Sequence, residues 1–191
     1  MKKPRRLELG NSLAIVAPAS PFDRERFNLG LSEIRRLGLS PVVPDAIFAN
    51  EGYVAGSAER RAAALMAAWC DDSVMALMAA RGGYGSAQIL PLLDRTAFCD
   101  APKVFIGYSD LTSLLVYLTT HCGLVCFHGP MVVDFSNGES AYDRESLLRA
   151  VMNVEPIGEL TTDGLETLRP GQATGPIFGG TLTQLVASLG T

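Results

Sequence analysis

Lys103-Val104-Phe105-Ile106-Gly107-Tyr108-Ser109-Asp110-Leu111-Thr112 passes from an apolar, β-rich run into a helix start with no loop between them. A strand this uniformly apolar has both faces buried, and a helix that follows directly belongs to a parallel sheet. The same succession repeats upstream. Ser73–Ala80 reads as a buried strand that flows into Arg81-Gly82-Gly83-Tyr84-Gly85, then a helix over Ser86–Leu93 with Pro91 in its interior. Earlier still, Ser12–Ala17 reads as the first strand, bounded by Pro18 and Pro21. Asp23–Leu37 reads as a helix with Phe27, Leu31 and Ile34 on one face, and Pro41–Pro44 as a short strand. Ser57 is the expected N-cap of an alanine-rich helix running to Trp69. Downstream, the helix opened by Ser109 ends before Gly123, and Leu124–Phe127 is the last strand. Asp134–Ser140 reads as a polar loop and Asp143–Met152 as a helix. The alternation predicts an α/β fold, a mostly parallel sheet flanked by helices in the Rossmann-like or flavodoxin-like manner.

Residues 1–152 form the α/β domain in this reading, and residues 153–191 a linker and the start of a further domain. From Asn153 to Gly180 the composition shifts to Gly, Pro, Thr and Glu with no sustained period. Leu182, Leu185, Val186 and Leu189 then recur at helical spacing, with Gly190 as the C-cap.

The 191 residues are 48% hydrophobic and 19% charged, the balance of a globular protein with a real core. A net charge of −4 argues against nucleic acid as a partner, and Lys2, Lys3, Arg5 and Arg6 read as a solvated basic tail. That tail and the apolar run Leu13–Ala19 imitate a signal peptide. Glu8, Gly10 and Asn11 interrupt the approach, however, and a buried first strand explains the letters better. No apolar stretch is long enough to span a bilayer, so no membrane partner is expected and the location expected is cytoplasmic. Cys70, Cys99, Cys122 and Cys126 lack C-x-x-C spacing and read as free thiols. In His121-Cys122-Gly123-Leu124-Val125-Cys126-Phe127-His128, only Cys126 and His128 would share a strand face, so no metal is expected there.

Two loops leave carboxyl ends of strands, where ligands of parallel sheets bind. The glycines of Arg81–Gly85 let backbone N–H groups approach an anion closely, though a plain tight turn would use the same letters. The loop lacks the G-K-[ST] of a Walker site and the third glycine of a dinucleotide fingerprint. Strand, Ser109, helix is the layout of a nucleophile elbow, which exposes a hydroxyl and places the next N–H at a helix start. Leu111 stands where the α/β-hydrolase pattern has its second glycine, and an N-cap serine would satisfy the same spacing.

Ala80-Arg81-Gly82-Gly83-Tyr84-Gly85, Gly107-Tyr108-Ser109-Asp110-Leu111-Thr112 and Phe127-His128-Gly129-Pro130-Met131, in that order, resemble the LD-carboxypeptidases. Val16-Ala17-Pro18-Ala19-Ser20-Pro21 and Gly179-Gly180-Thr181-Leu182 also resemble the family, with Thr181 in place of its usual Asn. The resemblance implies a Ser-Glu-His peptidase that removes the terminal D-alanine of murein tetrapeptide in cell-wall recycling, with no cofactor. It implies Ser109 as nucleophile and an oxyanion hole from the N–H groups of Asp110 and a glycine of the Arg81 loop, Gly83, with Gly82 beside it. Arg81 is a candidate for the substrate carboxylate or a structural ion pair.

The family's Glu and His lie in a C-terminal domain after the Gly-Gly-x-Leu helix, so the chain is expected to be a truncated form, inactive alone. His121 is twelve residues beyond Ser109, roughly 18 Å along a helix, too far to act as base. His128 ends a strand that could neighbour Ser109 and reads as a structural or pocket-lining residue, with Asp134 a distant candidate to orient it. Two alternatives stand beside the peptidase: a relative that hydrolyses another amide, such as an immunity peptidase against a peptidyl-nucleotide antibiotic, and a non-catalytic binding module. A peptide or muropeptide is the expected partner, and exposed apolar positions on the last helix lead to a homodimer as the expected assembly.

Overall fold

Strand positions alternate between two apolar clusters, and that alternation builds the molecule. The structure, a computed structural model, describes residues 1–159 and 164–189. Five strands, β1 (Ser12–Val16), β2 (Ser40–Val42), β3 (Ala76–Ala79), β4 (Val104–Gly107) and β5 (Phe127–His128), form one all-parallel sheet in the order β2-β1-β3-β4-β5. Ala14, Val16, Leu77, Ala79 and Phe105 face one cluster; Leu13, Ile15, Ala76, Met78, Val104 and Ile106 face the other. The central strands are therefore buried on both faces, as their uninterrupted apolarity requires.

Helices α2 (Ala58–Cys70), α3 (Ser86–Ile89), α4 (Arg95–Asp100) and α5 (Thr112–Thr120) cover the first face with Leu65, Trp69, Phe98, Leu114 and Leu118. Helices α1 (Arg24–Arg36) and α6 (Arg144–Met152) cover the second with Phe27, Ile34 and Val151. The caps are those the sequence announces: Asp23 accepts from Arg26 N, Ser57 from Arg60 N and Asp143 from Ser146 N.

Four expectations need correction. The stretch read as a polar loop over Asp134–Ser140 lies in a 3₁₀ segment, Val132–Ala141, kinked at Gly138 and packed along α1. Leu124 does not belong to β5, because the N-terminus takes its place. Lys2 N donates to Gly123 O at 2.7 Å, Val125 N donates to Lys2 O at 2.9 Å, and Lys2 and Leu124 form an isolated bridge. The basic start is therefore no free tail, its backbone at Lys2 being laced to the sheet edge, while Lys2, Lys3, Arg5 and Arg6 stay exposed as expected and Leu7 behind them is fully buried. The helix read as Ser86–Leu93 gives way after Ile89 to a 3₁₀ turn at Leu90–Leu92, since Pro91 has no N–H to continue it.

After α6 the described residues to Thr181 form no regular element, and α7 (Leu182–Ala187) closes at Ser188; Gly190 lies outside the described residues. No helix among the described residues is long and apolar enough to cross a membrane.

Candidate active site

Register draws the carboxyl ends of the strands into one line. Val16 pairs with Ala79, Met78 with Ile106, and Gly107 with His128. The chain order reverses between β1 and β3, which opens a crevice beyond those two ends. The loops that follow β1, β3, β4 and β5 therefore converge above this line.

Ser109 stands directly above β4 with φ of 61°, and it is the one non-glycine residue with positive φ among the described residues. A serine held in the left-handed region is strained, and the strain turns its hydroxyl out of the strand-to-helix path. A 3₁₀ turn over Ser109–Leu111 leads into α5. First-turn N–H groups of a helix have no partner within it, and the Asp110 N–H is one of these. Ser109 is partly exposed, and Asp110 behind it is buried.

Gly82 is the close neighbour across the gap. A Cβ placed on it would lie 3.2 Å from Ser109 Cβ, 3.4 Å from Ser109 Oγ and 3.4 Å from Met131 Cε. Gly83 turns the other way: with φ of 109°, its Cβ would strike Ser20 Oγ at 2.3 Å. Gly82 O accepts from Ser20 N at 3.2 Å on the β1 side. In a trans peptide the following N–H points opposite to that carbonyl, so the Gly83 N–H is directed toward the β4 side, where Ser109 stands.

Ser20 and Arg61, to which the sequence assigns no role, and Asp134, expected as a distant orienter of His128, hold these loops. Ser20 Oγ donates to Tyr53 O at 2.7 Å and accepts from Tyr84 N at 3.0 Å, which pins the glycine loop. Arg61 is buried, and its guanidinium donates to Gly56 O, Pro18 O, Gly85 O and Gln88 Oε1 at 2.6–2.9 Å. Burial lowers its pKa from the ordinary arginine value, and the nearby Asp110 charge opposes that shift. Asp134 accepts from Tyr108 Oη at 3.3 Å and from Met131 N at 2.9 Å, joining the loops after β4 and β5. Burial and the Asp134 charge push the Tyr108 phenol above its usual range.

The Asp110 carboxylate caps a different helix from the one it begins: Ser86 N donates to its Oδ2 at 2.8 Å, at the start of α3. His128 is exposed beside Gly107, its ring edge-on to Tyr108 at 5.8 Å, while Asp134 is engaged with Tyr108. His121 caps the far end of α5 against Tyr117. Arg81 is exposed and donates to Pro21 O at 2.8 Å, and no described carboxylate pairs with it. No group of three or more His, Cys, Asp or Glu among the described residues could hold a metal ion.

Comparison with known proteins bears on what this crevice belongs to. The family described as the LD-carboxypeptidase N-terminal domain matches residues 13–129. A Streptomyces coelicolor protein, a carboxypeptidase by assigned name only, is 42% identical over 195 residues, which cover 99% of this chain and 62% of that protein. A Bacillus subtilis protein named as a probable murein peptide carboxypeptidase is 34% identical over 191 residues, 99% of this chain and 60% of its own length. Among solved structures, a muramoyltetrapeptide carboxypeptidase from Oxalobacter formigenes superposes with a TM-score of 0.68 at 26% identity, over 75% of this chain and 48% of that one. The microcin C7 self-immunity protein MccF shares the fold, with a TM-score of 0.83 over 98% of this chain and 65% of that one, at 24% identity. The chain thus spans about 60% of the length of the curated relatives it matches. Matched over most of its parallel sheet and the loops above it, the chain belongs to the LD-carboxypeptidase family.

Proposed function

We propose that this chain carries the nucleophile half of a serine peptidase that removes the terminal D-alanine of murein tetrapeptide. One observation carries the reading: Ser109 stands in a positive-φ turn above β4 and faces Gly82, where a Cβ would lie 3.4 Å from its hydroxyl oxygen. In this reading Ser109 Oγ attacks the scissile carbonyl, and the oxyanion meets the N–H groups of Asp110 and Gly83. The direction of the Gly82–Gly83 peptide supports Gly83 over Gly82 as the second donor. Arg81, an exposed cation one residue from Gly82, is the group suited to the substrate's free carboxylate.

A neutral serine attacks an amide poorly without a base. The family resemblance puts the activating Glu and His in the part of the relatives beyond the span of this chain. His128 fits the role poorly, being exposed and edge-on to Tyr108 with no orienting carboxylate assigned to it. Murein peptides are favoured over peptidyl-nucleotide amides because the murein-named Bacillus relative aligns over 99% of the chain, whereas MccF aligns in sequence over 61%.

The test is D-alanine release from murein tetrapeptide by the purified chain, by the chain joined to the remaining segment of a full-length relative, and by Ser109→Ala and His128→Ala forms of each. Loss of a triad member costs on the order of 10⁴–10⁶ in rate, so release is expected only from the joined form and is lost with Ser109→Ala. Turnover by the 191-residue chain that both substitutions abolish would make this a Ser-His hydrolase and overturn the reading. A parallel assay with an aminoacyl-nucleotide amide separates the two substrate classes.

A further inference from the structure

Helix α7 is seated by polar contacts on the turn that carries Ser109 and on the first residues of α5. Leu182, Val186 and Leu189 on and beside it are exposed and Leu185 is only half-buried, so apolar burial contributes little to holding it in place. Instead Thr181 N donates to Thr112 Oγ1 at 3.0 Å, and Ser113 Oγ donates to Gln184 Oε1 at 3.0 Å. Gln184 Nε2 donates to Asp110 Oδ1 at 3.2 Å. Gly180 comes so near that a Cβ on it would lie 2.4 Å from Thr112 Cγ2. Asp110, Thr112 and Ser113 are all buried, so these are contacts with groups that need partners.

The Asp110 carboxylate is shared between two segments. Its Oδ1 takes the Gln184 amide, while its Oδ2 takes the Ser86 N–H at 2.8 Å, and Ser86 Oγ donates to the Asp110 carbonyl at 2.5 Å. Ser86 directly follows the Arg81–Gly85 loop and is itself fully buried. A chain of hydrogen bonds therefore runs from Gln184 through Asp110 to the end of the glycine loop. Removing the Gln184 donor leaves one oxygen of a buried carboxylate unpaired and frees it to rotate away from Ser86.

We propose that Gln184 is a positioning residue which, through the Asp110 carboxylate, fixes the Ser109 turn against the Arg81–Gly85 loop. The segment Gly179–Leu189 thereby sets the geometry of the reacting centre. Its description as a reacting centre rests on Ser109 being the nucleophile; the hydrogen-bond coupling itself does not.

The test is read without turnover, from amide exchange and ¹H–¹⁵N shifts of Ser86 and Gly83 in the 191-residue chain. Gln184→Leu removes both polar contacts on a peripheral helix and leaves the sheet intact. It is expected to speed Ser86 exchange roughly three- to tenfold, the worth of one net hydrogen bond, and to move the Gly83 amide shift. Gln184→Glu sets carboxylate against carboxylate, a clash that no side-chain rotation relieves, whereas in Asp110→Asn the Gln184 amide can turn over, its oxygen accepting from the Asn amide and its Nε2 donating to Ser113 Oγ. The double form Asp110→Asn with Gln184→Glu restores every bond: Ser86 N–H to the Asn oxygen, the Asn amide to Glu, and Ser113 Oγ to the other Glu oxygen. Exchange in the double form is therefore expected within about twofold of the wild type while Gln184→Glu alone is faster, a rescue that pairwise coupling produces. Unchanged Ser86 exchange in Gln184→Leu, or a double form no slower than the worse single one, would overturn the proposal. Absence of D-alanine release from the joined wild-type enzyme would overturn the peptidase reading and leave these exchange measurements untouched, so the two failures are told apart.

Discussion

Ser109 and the two glycines facing it show how far single residues determine this site. Gly82 and Gly83 are adjacent and chemically identical, yet their substitution by alanine has opposite expected consequences. At Gly83 the backbone lies at φ of 109° and the added Cβ meets Ser20 Oγ at 2.3 Å, a hydroxyl already committed to Tyr53 O and Tyr84 N. Strain and overlap together are expected to cost about 2 kcal/mol or more in a urea titration of Gly83→Ala. At Gly82 the backbone is ordinary, and the added methyl meets Ser109 and Met131 at 3.2–3.4 Å, distances that small shifts relieve. Gly82→Ala is expected to stay within about 1 kcal/mol of wild-type stability. It should nonetheless cut D-alanine release in the joined enzyme at least about tenfold, because it crowds the attacking oxygen. Equal stability losses for the two variants would contradict this division. The sequence announces Ser109 and the glycines because strand-to-helix spacing and glycine-rich turns are local signals. It hides Arg61, which sits in an alanine-rich helix and resembles an ordinary solvated arginine. One clue was available: Arg61 lies on the helix face of Leu65 and Ala68, a buried stripe where a charge must find partners. Ser20, Asp134 and Gln184 gain their roles only when separate segments meet.

At the scale of elements, α1 and the 3₁₀ segment after β5 fit together through one missing side chain. A Cβ on Gly30 would fall 2.0 Å from the Val132 carbonyl oxygen and 2.8 Å from Val132 Cγ1. Alanine in an exposed helix interior gains about 1 kcal/mol over glycine. Here the obstacle is backbone, which cannot rotate aside, so Gly30→Ala is expected to destabilise by about 2 kcal/mol despite its better propensity. A stabilised Gly30→Ala protein in thermal or urea unfolding would show that the two elements part more easily than they pack. The same contact explains why Val132–Ala141 is not legible as an element. Its residues have no apolar period, and its order comes from Asp134 accepting the Met131 N–H, from Ser136 Oγ donating to Val133 O, and from Arg26 reaching Ser136 and Val133 O from α1. The first two are turns within the segment, whereas the Arg26 contacts are tertiary instructions written at a separation of about a hundred residues. Strong periods and caps, by contrast, place α1, α2 and α6 to within a residue or two. The edge strand β5 lies later than Leu124–Phe127 because residues near the N-terminus, invisible to a local window, pair with Gly123 and Val125.

For the molecule as a whole, apolar runs make the sheet legible, and the crossover order then follows from short, right-handed connections. The site above it is legible because parallel sheets collect their loops at one edge, at the point where strand order reverses. What holds the two faces together as one cooperative unit can be read from a thiol. Cys122 lies in the cluster that packs on the α5 face, together with Leu118 and Leu124, and is buried. Burial pushes its thiol from an ordinary value of 9.0 up to about 11. Cys70 is exposed at the end of α2. Iodoacetamide must reach the sulfur, so exposed Cys70 is expected to label without any opening, and Cys122 only when its cover opens. If the sheet and both clusters unfold together, the opening free energy read from Cys122 labelling equals the global value from urea within about 1 kcal/mol. Labelling of Cys122 much faster than that would show α5 and the β5 edge opening as a separate unit. The same thiol gives a sign in alkali. The unfolded chain releases the Cys122 proton near pH 9 while the folded chain keeps it to about pH 11, so this group favours unfolding as pH rises through that interval. Replacing Cys122 with alanine removes the group and is expected to flatten the fall in stability between pH 9 and 11, while lowering stability at pH 7 through lost packing. A fall of unchanged steepness in Cys122→Ala would place the alkaline sensitivity elsewhere.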